Sequence, residues 1–393
     1  MMITGLFVGS LLLTSCATSQ QPASTAATEP IATTTTAIEA VTTTDVTADS
    51  ITTTVATTST TGDTVTTPTA EDATPAIVAV ANDFLATLSD SEQATVLFDW
   101  SDTAQKQRWS NFPPAGFERD GLMWGDMGEE AQNAWLAVLQ ATLSAEGYNR
   151  FLAEWQADEA LYAQEGMGGG FGTANYYIAI IGTPSETDPW QWQFGGHHVT
   201  LNATIVNSQA VLTPSFIGCQ PCTYTDAAGN TVRPLGDIED EGFALINSLD
   251  ATQQDAAVLG DSPTELVLGP GEDGRTIQSE GLPASQMTAE QQAAFLQLIG
   301  HYTGLVNDED AAVRMAEIES ELNATYFAWY GPTEPGSVAY FRITGPSIVI
   351  EFAPQGTGRG GSGGTATDLH VHGIYRDPTN DYGAEYTGIQ IGS

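Results

Sequence analysis

The histidines of this chain are few and clustered. Of 5 in 393 residues, two are adjacent at His197 and His198 in the run PWQWQFGGHHVTLNATIV, and two stand at His370 and His372 in LHVHGIYRDP. Side chains two apart on a strand leave the same face. His370 and His372 can therefore bring two nitrogens to one ion about 2.0–2.1 Å away. In the first run Val199, Leu201, Ala203 and Ile205 alternate with His198, Thr200, Asn202 and Thr204. The apolar set reads as core, which puts His198 rather than His197 on the polar face. Glu351 stands between Ile350 and Phe352, and a carboxylate in such a strand needs a partner to offset its desolvation. The set His198, Glu351, His370 and His372 is expected to form one mononuclear metal site. These nitrogen and oxygen donors suit a divalent transition metal, with Zn, Mn, Fe, Cu and Ni all compatible. The same residues can also make a hydrogen-bonded cluster without an ion.

Other reactive groups fall around this set. Arg376 shares the parity of His370 and His372, so it either orients Glu351, clamps a substrate carboxylate, or pairs with Asp377 to brace the turn before Pro378. His301, in IGHYTG, reads as a helix-end residue near the C-terminal dipole. Cys219 and Cys222, in FIGCQPCTY, are a candidate disulfide; a lone C-x-x-C without a second pair is a weak zinc or redox motif. Trp190, Trp192, Trp109 and Trp124 offer flat faces to a sugar ring, but alternating tryptophans on one strand face read first as core packing. The G-x-S-x-G at Gly360 to Gly364 lies in a glycine tract and lacks the strand and helix of a nucleophile elbow.

Positioning these residues requires a scaffold, and the chain spells one twice. Ser89 with Glu92, Asp250 with Gln253, Asp126 with Glu129 and Thr288 with Gln291 have capping-box spacing. Gly121 and Gly281 begin similar stretches 160 residues apart, each with an apolar helical stripe: Trp135, Val138, Leu139 and Thr142, then Phe295, Leu298, Ile299 and Tyr302. The strands keep a 149-residue offset, from Gly182 to Gly331, Gly196 to Gly345 and Asn202 to Glu351. The expected class is α+β: a duplicated domain over residues 75–393, with halves of about 75–235 and 236–393. Each half is read as paired helices followed by a small antiparallel meander, the two meeting about a pseudo-twofold.

The N-terminal segment is of another kind. Met1 to Ser15 is apolar and short for a membrane span. Its end, Leu13-Thr14-Ser15-Cys16, resembles the lipobox of bacterial lipoproteins, which implies lipidation at Cys16. Residues 17–74 are rich in Thr, Ala and Ser, lack aromatics, and read as a disordered tether. The formal net charge of −39, with Lys106 the only lysine, excludes a broad basic surface for nucleic acid.

The motifs GTPSETDPWQWQFGGHHVTLN and HVHGIYRDPTNDYG, with the LSDSEQ helix start, resemble the bacterial family called domain of unknown function 3500 over about Phe84 to Gly383. That resemblance implies an architecture and no established activity. The functional expectation is an exported lipoprotein, lipid-anchored to the bacterial cell envelope, whose metal centre serves a hydrolase or oxidoreductase. The alternative is a non-catalytic lipoprotein that binds a small molecule or glycan.

Overall fold

In the computed structural model, residues 72–166, 169–355 and 370–387 are described. Cys16, the tether up to residue 71 and the glycine tract of residues 356–369 lie outside them. Ten α-helices accompany one 13-stranded mixed sheet among the described residues.

The principal strands are β1 (Leu97–Phe98), β2 (Tyr177–Ile181), β3 (Trp190–Gly195), β4 (Thr200–Val206), β5 (Ser215–Cys219), β6 (Val258–Gly260), β7 (Tyr326–Tyr330), β8 (Tyr340–Thr344), β9 (Val349–Gln355) and β10 (His370–Arg376). Their order across the sheet is β1-β2-β3-β4-β5-β10-β9-β8-β7-β6. The two expected meanders join edge to edge into one sheet through the antiparallel pair β5–β10, in which Gly218 faces His372. The outer pairs β1–β2 and β6–β7 are parallel, so the sheet is mixed rather than antiparallel throughout.

One sheet face is apolar and carries the helices. The main helices are α1 (Thr74–Thr87), α2 (Glu129–Thr142), α3 (Ala145–Glu165), α4 (Gly236–Ser248), α5 (Ala289–Thr303) and α6 (Asp308–Glu321). Trp135 of α2 is fully buried, its ring 4.9 Å from Phe84 and 5.7 Å from Trp192. Removing such a ring costs about 3–5 kcal/mol in lost transfer energy and cavity formation. Trp190 and Trp192 are likewise fully buried, which removes them as sugar platforms. The capping boxes form at Ser89, Asp250 and Thr288. The fourth does not: Gly128 is the N-cap of α2, and Asp126 belongs to the preceding 3-10 turn, Trp124–Asp126. No helix of the described residues is long and apolar enough to cross a membrane.

The opposite face carries polar and ionic side chains under two loops. Gln193 donates to Asn202 Oδ1 at 2.9 Å, and Asn202 donates to Pro214 O at 2.8 Å. The register aligns Arg342 with Glu351 and Glu351 with Ile374. Residues 99–120 cover the first part of this face and residues 261–280 the second. The sequence-predicted site residues lie on this covered face or at its upper end.

Candidate metal centre

One strand end and one turn build the centre. His370 and His372 project from one face of β10, as the two-residue period requires. His198 arrives differently from the strand alternation expected of it. β4 begins only at Thr200, and His197 and His198 form the turn between β3 and β4, closed by Gly196 N–H donating to Val199 O at 3.0 Å. His198 takes φ +66°, a left-handed conformation that costs a non-glycine residue roughly 1–2 kcal/mol.

The surroundings over-determine that turn. Asp158 of α3 contacts His197 Nδ1 at 2.6 Å through Oδ1 and accepts Gly172 N–H at 3.0 Å through Oδ2. The Tyr176 hydroxyl donates to His197 O. Asn111 O accepts the His198 N–H at 3.2 Å. The His197 and His198 rings lie against each other, centroids 3.5 Å apart and planes tilted by 34°. Gly218 makes the approach possible, because a Cβ there would lie 2.6 Å from Val371 O and 2.9 Å from His198 O.

The three rings converge on their Nε2 atoms. His370 Nε2 lies 2.7 Å from His198 Nε2 and 2.8 Å from His372 Nε2. One ligand nitrogen from each lies within 4.8 Å of the others. A neutral imidazole has one N–H and one lone pair, so one proton on His370 Nε2 cannot serve both neighbours. A single cation can take all three lone pairs. Two nitrogens each 2.0–2.1 Å from one ion stand about 2.9 Å apart at octahedral angles and about 3.3 Å at tetrahedral ones, so the observed spacing is near the octahedral value.

Burial keeps the rings neutral, which ligation requires. Desolvation first, then the neighbouring histidines, pushes His198 well below the usual histidine range and His372 down to about 3. Desolvation and His197 lower His370 to about 4. His198 Nδ1 is buried without a hydrogen-bond partner, so packing against the His197 ring and backbone geometry orient this imidazole.

Glu351 is not part of this centre. Among the described residues the group of converging ligand atoms holds the three histidines alone. The Glu351 carboxylate is fully buried and satisfied: Oε1 accepts Val267 N–H at 2.8 Å and the Tyr340 hydroxyl at 2.6 Å, and Oε2 accepts Leu268 N–H at 2.7 Å. Arg376 neither orients Glu351 nor pairs with Asp377. Its Nε donates to Leu268 O at 2.7 Å, Nη2 to Gly269 O at 3.1 Å, and Nη1 to Asp273 and Asp381 at 2.8 and 2.9 Å. Burial lowers its pKa, but Asp381, Tyr382 and Asp273 overcome this and hold it raised. Asp377 pairs instead with Arg314 at 3.0 Å. Glu351 and Arg376 thus grip the loop at residues 267–269, the carboxylate by its N–H groups and the guanidinium by its carbonyls.

That loop forms one wall of a cleft of about 500 Å³, with His372 in its lining. The other wall is the segment around Trp109 to Phe117, held by Arg119, which donates to the carbonyls of Ser110, Phe112 and Gly196 at 2.5, 2.7 and 2.8 Å. Asn111 joins cleft and centre, its amide Nδ2 lying 3.3 Å from His372 Nε2. Sequence reasoning missed Asn111 and Asp158. Asn111 sits in SNFPP, which has no periodicity to read. Asp158 was accessible: Arg150, Glu154 and Asp158 recur every fourth residue on the buried stripe of α3, where charges are costly without partners.

A second group, Glu146, Asp237 and His301, also has ligand atoms close together. Arg150 sits within it, 2.6 Å from Asp237 and 3.1 Å from His301 Nδ1, and supplies the positive charge. His301 lies in the last turn of α5 and contacts Glu241 at 2.9 Å through Nε2. Cys219 and Cys222 are joined by a disulfide at the end of β5.

The family described as "Protein of unknown function (DUF3500)" matches residues 70–384. The chain belongs to this family. No curated protein and no solved structure matches it. DUF3500 membership therefore covers all three histidines, both loops and the whole sheet, and assigns none of them an activity.

Proposed function

We propose that this chain binds one divalent transition ion through His198, His370 and His372 and uses it as a Lewis acid on a ligand held in the adjoining cleft. The observation that carries the reading is the convergence of three neutral Nε2 atoms, 2.7 and 2.8 Å apart. The donor set bears on the reaction class. Three imidazoles without a carboxylate leave the ion's charge undiminished and favour polarising a bond for hydrolysis. The two-histidine, one-carboxylate set of many iron oxygenases is not assembled here, because Glu351 is committed to the loop. The hydrolytic reading is therefore preferred to the oxidative one. Within the site, Asn111 can turn its amide oxygen toward the ion or its N–H toward a bound oxygen.

Metal content of purified full chain, after incubation with Zn, Mn and Cu in turn and removal of excess, tests this. About one equivalent of ion that disappears in His370→Ala is expected. Less than about a tenth of an equivalent with every metal sinks the proposal and leaves a hydrogen-bonded histidine cluster.

We also read the chain as an exported lipoprotein anchored in a bacterial membrane through Cys16, and as a duplicated unit. The disulfide supports export, since such bonds persist in oxidising compartments. The inverted strand order about β5–β10 supports duplication. So do the matching carboxylates at two hairpin turns: Asp158 on His197, and Glu321 accepting from Ser347 N and Oγ at 3.1 and 2.6 Å. Radiolabelled palmitate that enters the wild type but not Cys16→Ala is the expected result for the anchor; equal labelling contradicts it.

A further inference from the structure

The chemistry of the cleft walls identifies a class of ligand, and the step rests on the metal reading only for what happens at His372. Phe112 is 57% exposed, more than any other exposed large apolar side chain among the described residues. It is not on a loose tip: Arg119 holds the carbonyls of Ser110 and Phe112 on either side. Phe117 lines the same cleft, with Leu266 across from the pair. Phe112 thus holds a phenyl face open to solvent on a rigid backbone, beside the half-buried Phe117, whose ring lies 5.3 Å from the Arg119 guanidinium, and a floor of uncharged polar groups that includes Asn111.

Charge narrows the choice. The lining carries no Lys or Arg, and its only charged residues are Glu265 and Glu272. In a chain of net charge −39 an anionic ligand finds no partner and is repelled. A cation finds nothing buried to pair with. Glu265 is exposed, and Glu272 is half-buried but already bridged to Arg275 at 2.9 Å; a carboxylate in water, or one already paired, holds a further cation weakly. A wholly apolar ligand would leave the polar groups of Gln107, Ser110 and Asn111 in the lining without the water that faces them. What fits is an uncharged molecule with apolar ring faces and hydroxyl edges.

We propose that this cleft binds a neutral oligosaccharide, stacking sugar rings on Phe112 and Phe117 and directing one toward His372. Hydroxyls donate to Glu265 and exchange hydrogen bonds with Asn111. A cleft of about 500 Å³ lies in the usual size range of small-molecule sites, about 300–1,000 Å³.

Isothermal titration of the full chain, metal-free and metal-loaded, tests the proposal with four probes: cellohexaose and maltohexaose as neutral sugars, hexaglucosamine as the cation and hexagalacturonate as the anion. The expected result is binding of at least one neutral probe, weakened about tenfold or more in Phe112→Ala. Metal content and melting temperature are expected to stay unchanged in that variant, because Phe112 is exposed. No neutral binding up to about 10 mM, tighter binding of a charged probe, or equal affinity in Phe112→Ala overturns it. The metal reading fails separately: neutral binding by a protein that takes up no ion on incubation with Zn, Mn or Cu keeps the ligand class and removes the Lewis acid.

Discussion

His198 holds a backbone conformation that L-residues rarely adopt, and strain of this kind persists only where neighbours enforce it. The enforcing group is Asp158, which reaches His198 through His197. Asp158→Ala is expected to lower metal affinity up to about 10-fold, the low end of what removing a partner bonded directly to a ligand costs, because Asp158 acts through His197. Asp158→Asn keeps an acceptor for the Nδ1–H and is expected to retain most of the affinity. Competition with a chelator measures both; equal affinities in wild type and Asp158→Ala contradict the role. Gly218→Ala is a steric test at the same scale. Its methyl would meet two backbone carbonyls, so a loss of about 1–3 kcal/mol in a urea melt is expected, with ion binding impaired. A fully stable, metal-competent variant contradicts the packing described. At this scale the sequence was partly legible. The H-x-H pair follows from strand period alone. His198 does stand with His370 and His372, but not through the alternation that singled it out, because a turn interrupts the strand before Thr200.

Elements decide what Glu351 and Arg376 do. Strand parity correctly put both on the histidine face, but parity gives a face and not a position along it. Glu351 lies opposite Ile374, two residues along β10 from His372, and the backbone N–H groups of residues 267 and 268 claim its oxygens first. Nothing in local sequence announces that a loop some 80 residues upstream will fold over this strand. Glu351→Gln is accordingly expected to bind the same amount of metal as wild type. Glu351→Ala leaves two backbone donors without their acceptor and is expected to cost about 2–4 kcal/mol, read from denaturant midpoints. Loss of the ion in Glu351→Gln would restore the carboxylate to the ligand set. The capping boxes and apolar stripes were legible because they are local; Asp126 misled because Gly128 takes the N-cap beside it.

At the scale of the molecule, one sheet joins the strands of both halves, and acidic groups are buried far from the centre. Asp310 of α6 accepts Ala210 N–H at 2.9 Å and is raised to about 6, chiefly by desolvation. An unfolded carboxyl titrates near 3.9. The native state therefore binds this proton more tightly, and its contribution to stability grows as pH falls from about 6 to about 4. Wild type is expected to gain stability relative to Asp310→Asn over that window, in parallel urea melts. A gap that shrinks on acidification contradicts the assignment.

The most direct test of the whole account is an anomalous-difference map from crystals of the metal-loaded full chain. The expected result is one peak about 2.0–2.1 Å from Nε2 of His198, His370 and His372, with Glu351 still bonded to Val267 and Leu268. No peak between the three rings, or a peak only among Glu146, Asp237 and His301, would contradict it.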